Sequence, residues 1–170
     1  MGDFWVFGYG SLIWNPGFEV LERQKANLHG LHRSLCLNSW VHRGTKQNPG
    51  LIFGLNTGGM CVGIAMKASG ENREPIIEYL RERELVTDVY LEIWADIELE
   101  DGTKTKAITY KVDVTHEQYV GTLPINEQLA LVSSAKGKSG TNIDYIKNTA
   151  RALREADIHD AQLEELDAIL

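Results

Sequence analysis

Phe4-Trp5-Val6-Phe7-Gly8-Tyr9-Gly10-Ser11-Leu12 is the stretch from which the fold is read. A compact aromatic and aliphatic run ended by a glycine predicts a central strand leading into a turn. Downstream, Leu28 to Trp40 places Leu31, Leu35 and Leu37 among polar residues and predicts a second strand. Leu51 to Leu55 and Met60 to Met66 flank Asn56-Thr57-Gly58-Gly59, which predicts a hairpin with a glycine-rich turn. Val89 to Leu99 and Thr103 to Val114 flank Asp101-Gly102. Asp-Gly between β-branched runs is among the strongest short-range hairpin signals.

Helices take the remainder. Glu74 to Leu85 is one. Pro124 stands where a helix start tolerates it, ahead of a second from Ile125 to Ala135. Asn142 to Ala156 follows Ser139 and Thr141 as candidate caps, and Asp160 caps a short helix to Leu170. Strands fill the first two thirds and helices the last. That is an α+β pattern, a small mixed β-barrel with packed helices, expected as a single domain over residues 1–170.

Composition excludes several classes. The 170 residues carry 17 Lys and Arg against 24 Asp and Glu, a net charge of −7. An acidic domain is a poor partner for a phosphate backbone, so neither nucleic acid nor an anionic membrane is expected. The apolar runs are too short to cross a bilayer, and the N-terminus reads as a strand rather than a leader. Cys36 and Cys61 lie in apolar stretches without CxxC spacing, as buried thiols in a reducing cytoplasm would. The five histidines lack zinc spacing, so no metal is expected. The acidic surface accords with a soluble monomer.

One carboxylate is out of place. At about 100° per residue, Ile76, Ile77 and Leu80 define one apolar sector of the first helix. Glu84 is four past Leu80 and seven past Ile77, so it points into that sector, while Glu78 and Glu82 fall on the opposite side. Burial raises a carboxylate's pKa, and a carboxylate tuned toward neutrality is a usable general base and acid. The alternative is an ion pair with Arg33 or Arg83, or a face that ends with the helix.

The Gly8-Tyr9-Gly10-Ser11 turn permits positive φ and leaves backbone N–H groups open to a carboxylate or oxyanion. It is not a P-loop, a GxGxxG fingerprint or a nucleophile elbow. As a nucleophile Ser11 would need His29 or His32 as its base, and no triad context supports it.

Trp5-Val6-Phe7-Gly8-Tyr9-Gly10-Ser11-Leu12-Ile13-Trp14-Asn15-Pro16 closely resembles the opening of the ChaC-type, glutathione-specific γ-glutamylcyclotransferases. The resemblance continues through His32-Arg33-Ser34, Pro49-Gly50-Leu51 and Gly63-Ile64-Ala65. It takes in Tyr79-Leu80, Arg83-Glu84 and Tyr90, then Gln118 to Gly121 and Gly140 to Tyr145. It implies a γ-glutamylcyclotransferase-like fold and cleavage of glutathione to 5-oxoproline and cysteinylglycine, with no cofactor. Glu84 falls on the family's catalytic glutamate. Val6, Phe7, Gly8, Tyr9, Gly10, Ser11 and Leu12 fall on the strand and turn that hold the γ-glutamyl group. Tyr145 resembles a substrate-contacting tyrosine. Arg33 is a candidate for the substrate's carboxylate or for a buried acid. Asp88-Val89 stands before Tyr90 where glycine is common, which implies a different loop after the catalytic helix. The competing readings are a cyclotransferase of other γ-glutamyl amino acids or γ-glutamylamines, and a non-catalytic binding domain on the same scaffold.

Overall fold

Phe4–Gly8 forms strand β1, buried along nearly its whole length, as a continuous apolar run requires. It pairs antiparallel with β3 (Gly50–Ala68), from Phe4↔Ala68 to Gly8↔Ile64, and parallel with β5 (Lys104–Val112) at Trp5↔Ala107. The computed structural model describes residues 2–170. With β2 (Glu22–Ser39) and β4 (Tyr90–Leu99), these strands close a barrel in the order β1-β3-β2-β4-β5, and β3 also meets β5. The architecture is α+β, as expected.

Two compact units divide the chain. The first takes the chain up to Arg33 together with Gly54–His116 and contains the barrel pairings above. Its interior is filled by Val6, Phe7, Ala65, Met66, Ile108 and Tyr110, all at most 1% exposed. The Asp101-Gly102 signal holds: β4 and β5 pair from Tyr90↔Val112 to Glu98↔Lys104, and Leu99 N donates to Thr103 O at 2.8 Å. The glycine-rich turn is used as well, although residues 50–68 form one continuous β element. Leu55 runs parallel to β5, whereas 64–68 run antiparallel to β1, which is itself parallel to β5, so the chain reverses between them. Gly58 (φ 103°) and Gly59 (φ 67°) lie in the exposed stretch 57–60, where that reversal requires positive φ.

Two helices belong to this unit. Ser11–Trp14 is the single-turn α1, where the sequence suggested only a turn. Arg73–Glu84 is α2, preceded by a 3-10 turn at Gly70–Asn72. Pro75 falls in the first turn of α2, where its missing N–H leaves no helical bond unmade. Ile76, Ile77 and Leu80 are its buried residues, worth roughly 1.5–3 kcal/mol each. Leu85 N donates to Arg81 O at 2.9 Å and ends the helix.

The second unit takes Ser34–Phe53 and Glu117–Leu170. It holds α3 (Ile125–Ser134), the short pair β6 (Lys136–Gly137) and β7 (Gly140–Thr141), α4 (Asn142–Glu155) and α5 (Ala161–Ile169). The expected caps are used: Thr141 accepts from Asp144 N, and Asp160 from Leu163 N. Asn142 is fully buried. Its amide exchanges two hydrogen bonds with the Leu51 backbone, N to Oδ1 at 2.7 Å and Nδ2 to O at 2.8 Å. A buried amide so paired fixes α4 against the start of β3. Among the described residues no helix is long and apolar enough to cross a membrane.

Candidate active site

Glu84 is the last residue of α2, and its side chain keeps 15% exposure. Glu78 and Glu82 on the far side are exposed, as the helical spacing predicted. Burial pushes the Glu84 pKa up, and the neighbouring Arg83 guanidinium pulls it part of the way back. The negative end of the helix dipole acts in the same direction as burial. Arg83 Nε lies 3.3 Å from Glu84 Oε1. Both readings of this carboxylate therefore hold together: it is paired with an arginine, and its pKa is still raised.

The glycine turn faces the same arginine. Arg83 Nη2 donates to Ser11 Oγ at 2.9 Å, and Nη1 donates to Asn15 O and to Tyr79 Oη. Ser11 opens α1, and Ile13 N donates to Gly10 O at 3.0 Å. The Ser11 and Leu12 amides precede that bond and have no intrahelical acceptor. Neither Gly8 nor Gly10 has positive φ, contrary to expectation; Gly10 has φ −144° and ψ −125°. Gly8 is needed for space instead: a Cβ there would lie 2.8 Å from Met66 Cε and 3.3 Å from Leu12 Cβ.

The other site candidates divide by role. Val6 and Phe7 are at 0% exposure, so their side chains are core, and Phe7 O accepts from Thr109 Oγ1 at 3.0 Å. Leu12 is buried as well. Tyr9 is 7% exposed, and its hydroxyl donates to Tyr110 O at 2.9 Å. Arg33 donates from Nε to Tyr9 O and from Nη2 to Val62 O, both at 2.6 Å. It clamps the backbone that carries the turn. His32 Nδ1 lies 2.9 Å from Gly58 O, so that ring is engaged on β3. Tyr145 belongs to the second unit. There its hydroxyl accepts from Phe53 N at 3.0 Å, and the Arg43 guanidinium lies 5.5 Å from its ring.

Sequence reasoning missed a second layer. Glu92 is held by Arg81 through two 2.8 Å bonds and accepts from Tyr110 Oη at 3.2 Å. Burial, then the charges of Glu92 and Glu84, hold the Tyr110 phenol neutral. Arg81 bonds lower the Glu92 pKa. No local motif announces this cluster, because it joins α2 to β4 and β5. Past the helix, Asp88 has φ 57°. That is the conformation glycine takes freely and Asp tolerates, so the Asp88 departure does not demand another backbone path.

The ChaC-like protein family matches residues 4–170. The glutathione-specific gamma-glutamylcyclotransferase of Escherichia coli K12 is 34% identical over 165 residues, 97% of this chain and 71% of that protein. The zebrafish (Danio rerio) glutathione-specific gamma-glutamylcyclotransferase 1 is 30% identical, over 99% of this chain and 89% of its own. A crystal structure of a yeast γ-glutamyl cyclotransferase specific to glutathione superposes with a TM-score of 0.89 at 22% identity. It covers 99% of this chain and 95% of that one, a likeness of fold. With a family match over nearly its whole length, this chain belongs to the ChaC-like family.

Proposed function

We propose that this protein is a glutathione-specific γ-glutamylcyclotransferase with Glu84 as its general base and acid. The observation that carries the reading is Glu84 itself: a mostly buried carboxylate of raised pKa, joined through one arginine to the Ser11 turn, in a ChaC-like chain. The reaction is an intramolecular aminolysis. The α-amine of the γ-glutamyl group attacks its own γ-carbonyl carbon, forming the ring C–N bond, and the bond to the cysteinyl nitrogen breaks. Nucleophile and electrophile are already tethered, so holding the folded conformer removes much of the barrier. Glu84 takes a proton from the α-ammonium and returns it to the leaving amine. The Ser11 and Leu12 amides stabilise the oxyanion. Gly8, Tyr9 and Gly10 shape the γ-glutamyl subsite, to which Val6 and Phe7 contribute backbone only. Arg33 holds that backbone. No cofactor enters the scheme. The enzyme acts as a single-domain cytoplasmic monomer, a setting that suits the buried Cys36 and Cys61, which form no disulfide.

The test incubates purified protein with reduced glutathione and measures 5-oxoproline and cysteinylglycine, beside Glu84→Gln checked for folding by circular dichroism. Product from the wild type and loss of about 10²-fold or more in the variant are expected. A folded wild type that leaves glutathione intact overturns the substrate; an active Glu84→Gln overturns the base.

A further inference from the structure

We propose that Arg83 is a positioning residue that ties the Ser11 turn to the Glu84 carboxylate, so that base and oxyanion donors are set by one guanidinium. The inference deepens the reading of Glu84 as the base and rests on it. Four groups meet this side chain: Ser11 Oγ, the Asn15 carbonyl, Tyr79 Oη and Glu84 Oε1. They come from both ends of α1 and from the last two turns of α2. The Arg83 side chain is 16% exposed, so these contacts are little diluted by water.

The geometry suits arginine alone. Tyr79 is four residues back on the helix and shares its face with Arg83, whereas Glu84 is adjacent in sequence. Adjacent helical side chains diverge by about 100°, so the Arg83–Glu84 contact needs both to bend together. A planar fork can reach that carboxylate and α1 at once; an ammonium, a compact point charge, cannot replace four separated contacts. Ser11 Oγ accepts from Arg83, which orients its hydroxyl and holds the first turn of α1 where the Ser11 and Leu12 amides are presented. The Asn15 bond fixes the other end of that turn. The same cation favours the ionised form of Glu84 against burial. Among the other titratable and charged groups, Tyr79 on α2 bonds Arg83, and Tyr110 on β5 feels the Glu84 charge and bonds the Glu92 that Arg81 holds.

Arg83→Met and Arg83→Lys separate charge from fork. Both would be assayed with reduced glutathione across pH, after circular dichroism. Glu84 would be titrated in parallel by carboxyl 13C NMR, its resonance assigned by its loss in Glu84→Gln. In Arg83→Met, kcat/KM falls by about 10- to 100-fold, and the Glu84 titration and the acid limb move to higher pH. In Arg83→Lys the titration stays near wild type, yet kcat/KM falls nearly as far. Full activity in Arg83→Lys would overturn the positioning role, leaving charge alone. An unmoved Glu84 titration in Arg83→Met would overturn the coupling. If Arg83→Met does not fold, Arg83→Lys carries the kinetic test. A wild type without turnover would sink the catalytic reading, while the titration, which needs no turnover, would still decide whether Arg83 governs Glu84.

Discussion

Glu84 owes its position to helical arithmetic, and its chemistry to what surrounds it. Its carboxyl titrates above the ordinary 4.5 because burial outweighs the Arg83 charge. In its proposed role as base it must be ionised, so the acid limb of kcat/KM should fall above the range of an exposed glutamate. A limb at ordinary glutamate pH would show that burial does not act on the working enzyme. Arg33 makes a different prediction. Its two 2.6 Å bonds satisfy the Tyr9 and Val62 carbonyls, so Arg33→Met should lower stability by about 1–3 kcal/mol in urea unfolding. KM should rise as the turn loosens; a stability loss with KM unchanged would make the clamp purely structural. What was legible at this scale was Glu84, since spacing along one helix needs no tertiary knowledge. Ser11 and Arg83 lie 72 residues apart in sequence, and no periodicity connects them.

At the scale of elements, signals confined to a few residues were read correctly, while the single helical turn α1 after the glycines was not foreseen. Asp101-Gly102 defines a hairpin by local backbone preference, and β4 and β5 obey it. Gly58-Gly59 carries an equally strong local signal, and the chain reverses there, between the part of β3 parallel to β5 and the part antiparallel to β1. The connection from α1 to β2 gives a sharper case, since Gly17 has φ 76° and lies directly against the Tyr79 ring. A Cβ there would be strained in backbone and would collide with the phenol that accepts from Arg83 Nη1. Gly17→Ala should therefore destabilise the fold by about 1–3 kcal/mol, seen as a lower thermal midpoint. It should also weaken turnover, because displacing Tyr79 frees one of the four groups around Arg83. An alanine variant with wild-type stability would mean that Tyr79 swings aside without loss.

For the whole molecule, composition bounded the class well: a net charge of −7 and 43% hydrophobic residues describe a folded acidic protein. The division of the long strands between two units was not legible, because neither Arg33-Ser34 nor Phe53-Gly54, where the units part, carries a turn or linker signal. Stability against pH joins the site to the whole chain. Glu92 has a depressed pKa, from its Arg81 bonds first, so its contribution is present above the unfolded pKa and lost on acidification. Glu84 has the opposite sign. Its native pKa is raised, so between the unfolded and native values the folded state binds more protons, and stability falls as pH rises through that window. Above the unfolded pKa, holding the Glu84 carboxyl buried is thus a standing cost to the fold. Glu84→Gln removes the charge while its amide oxygen can still accept from Arg83 Nε. The variant should melt above the wild type at neutral pH, and the gap should close as pH falls below about 4, where the wild-type carboxyl becomes protonated in both states. Scanning calorimetry of the two proteins across that range checks the sign directly. A variant that melts below the wild type at neutral pH would mean that the Arg83 pair outweighs burial, and that Glu84 is held as a structural anion rather than poised as a base.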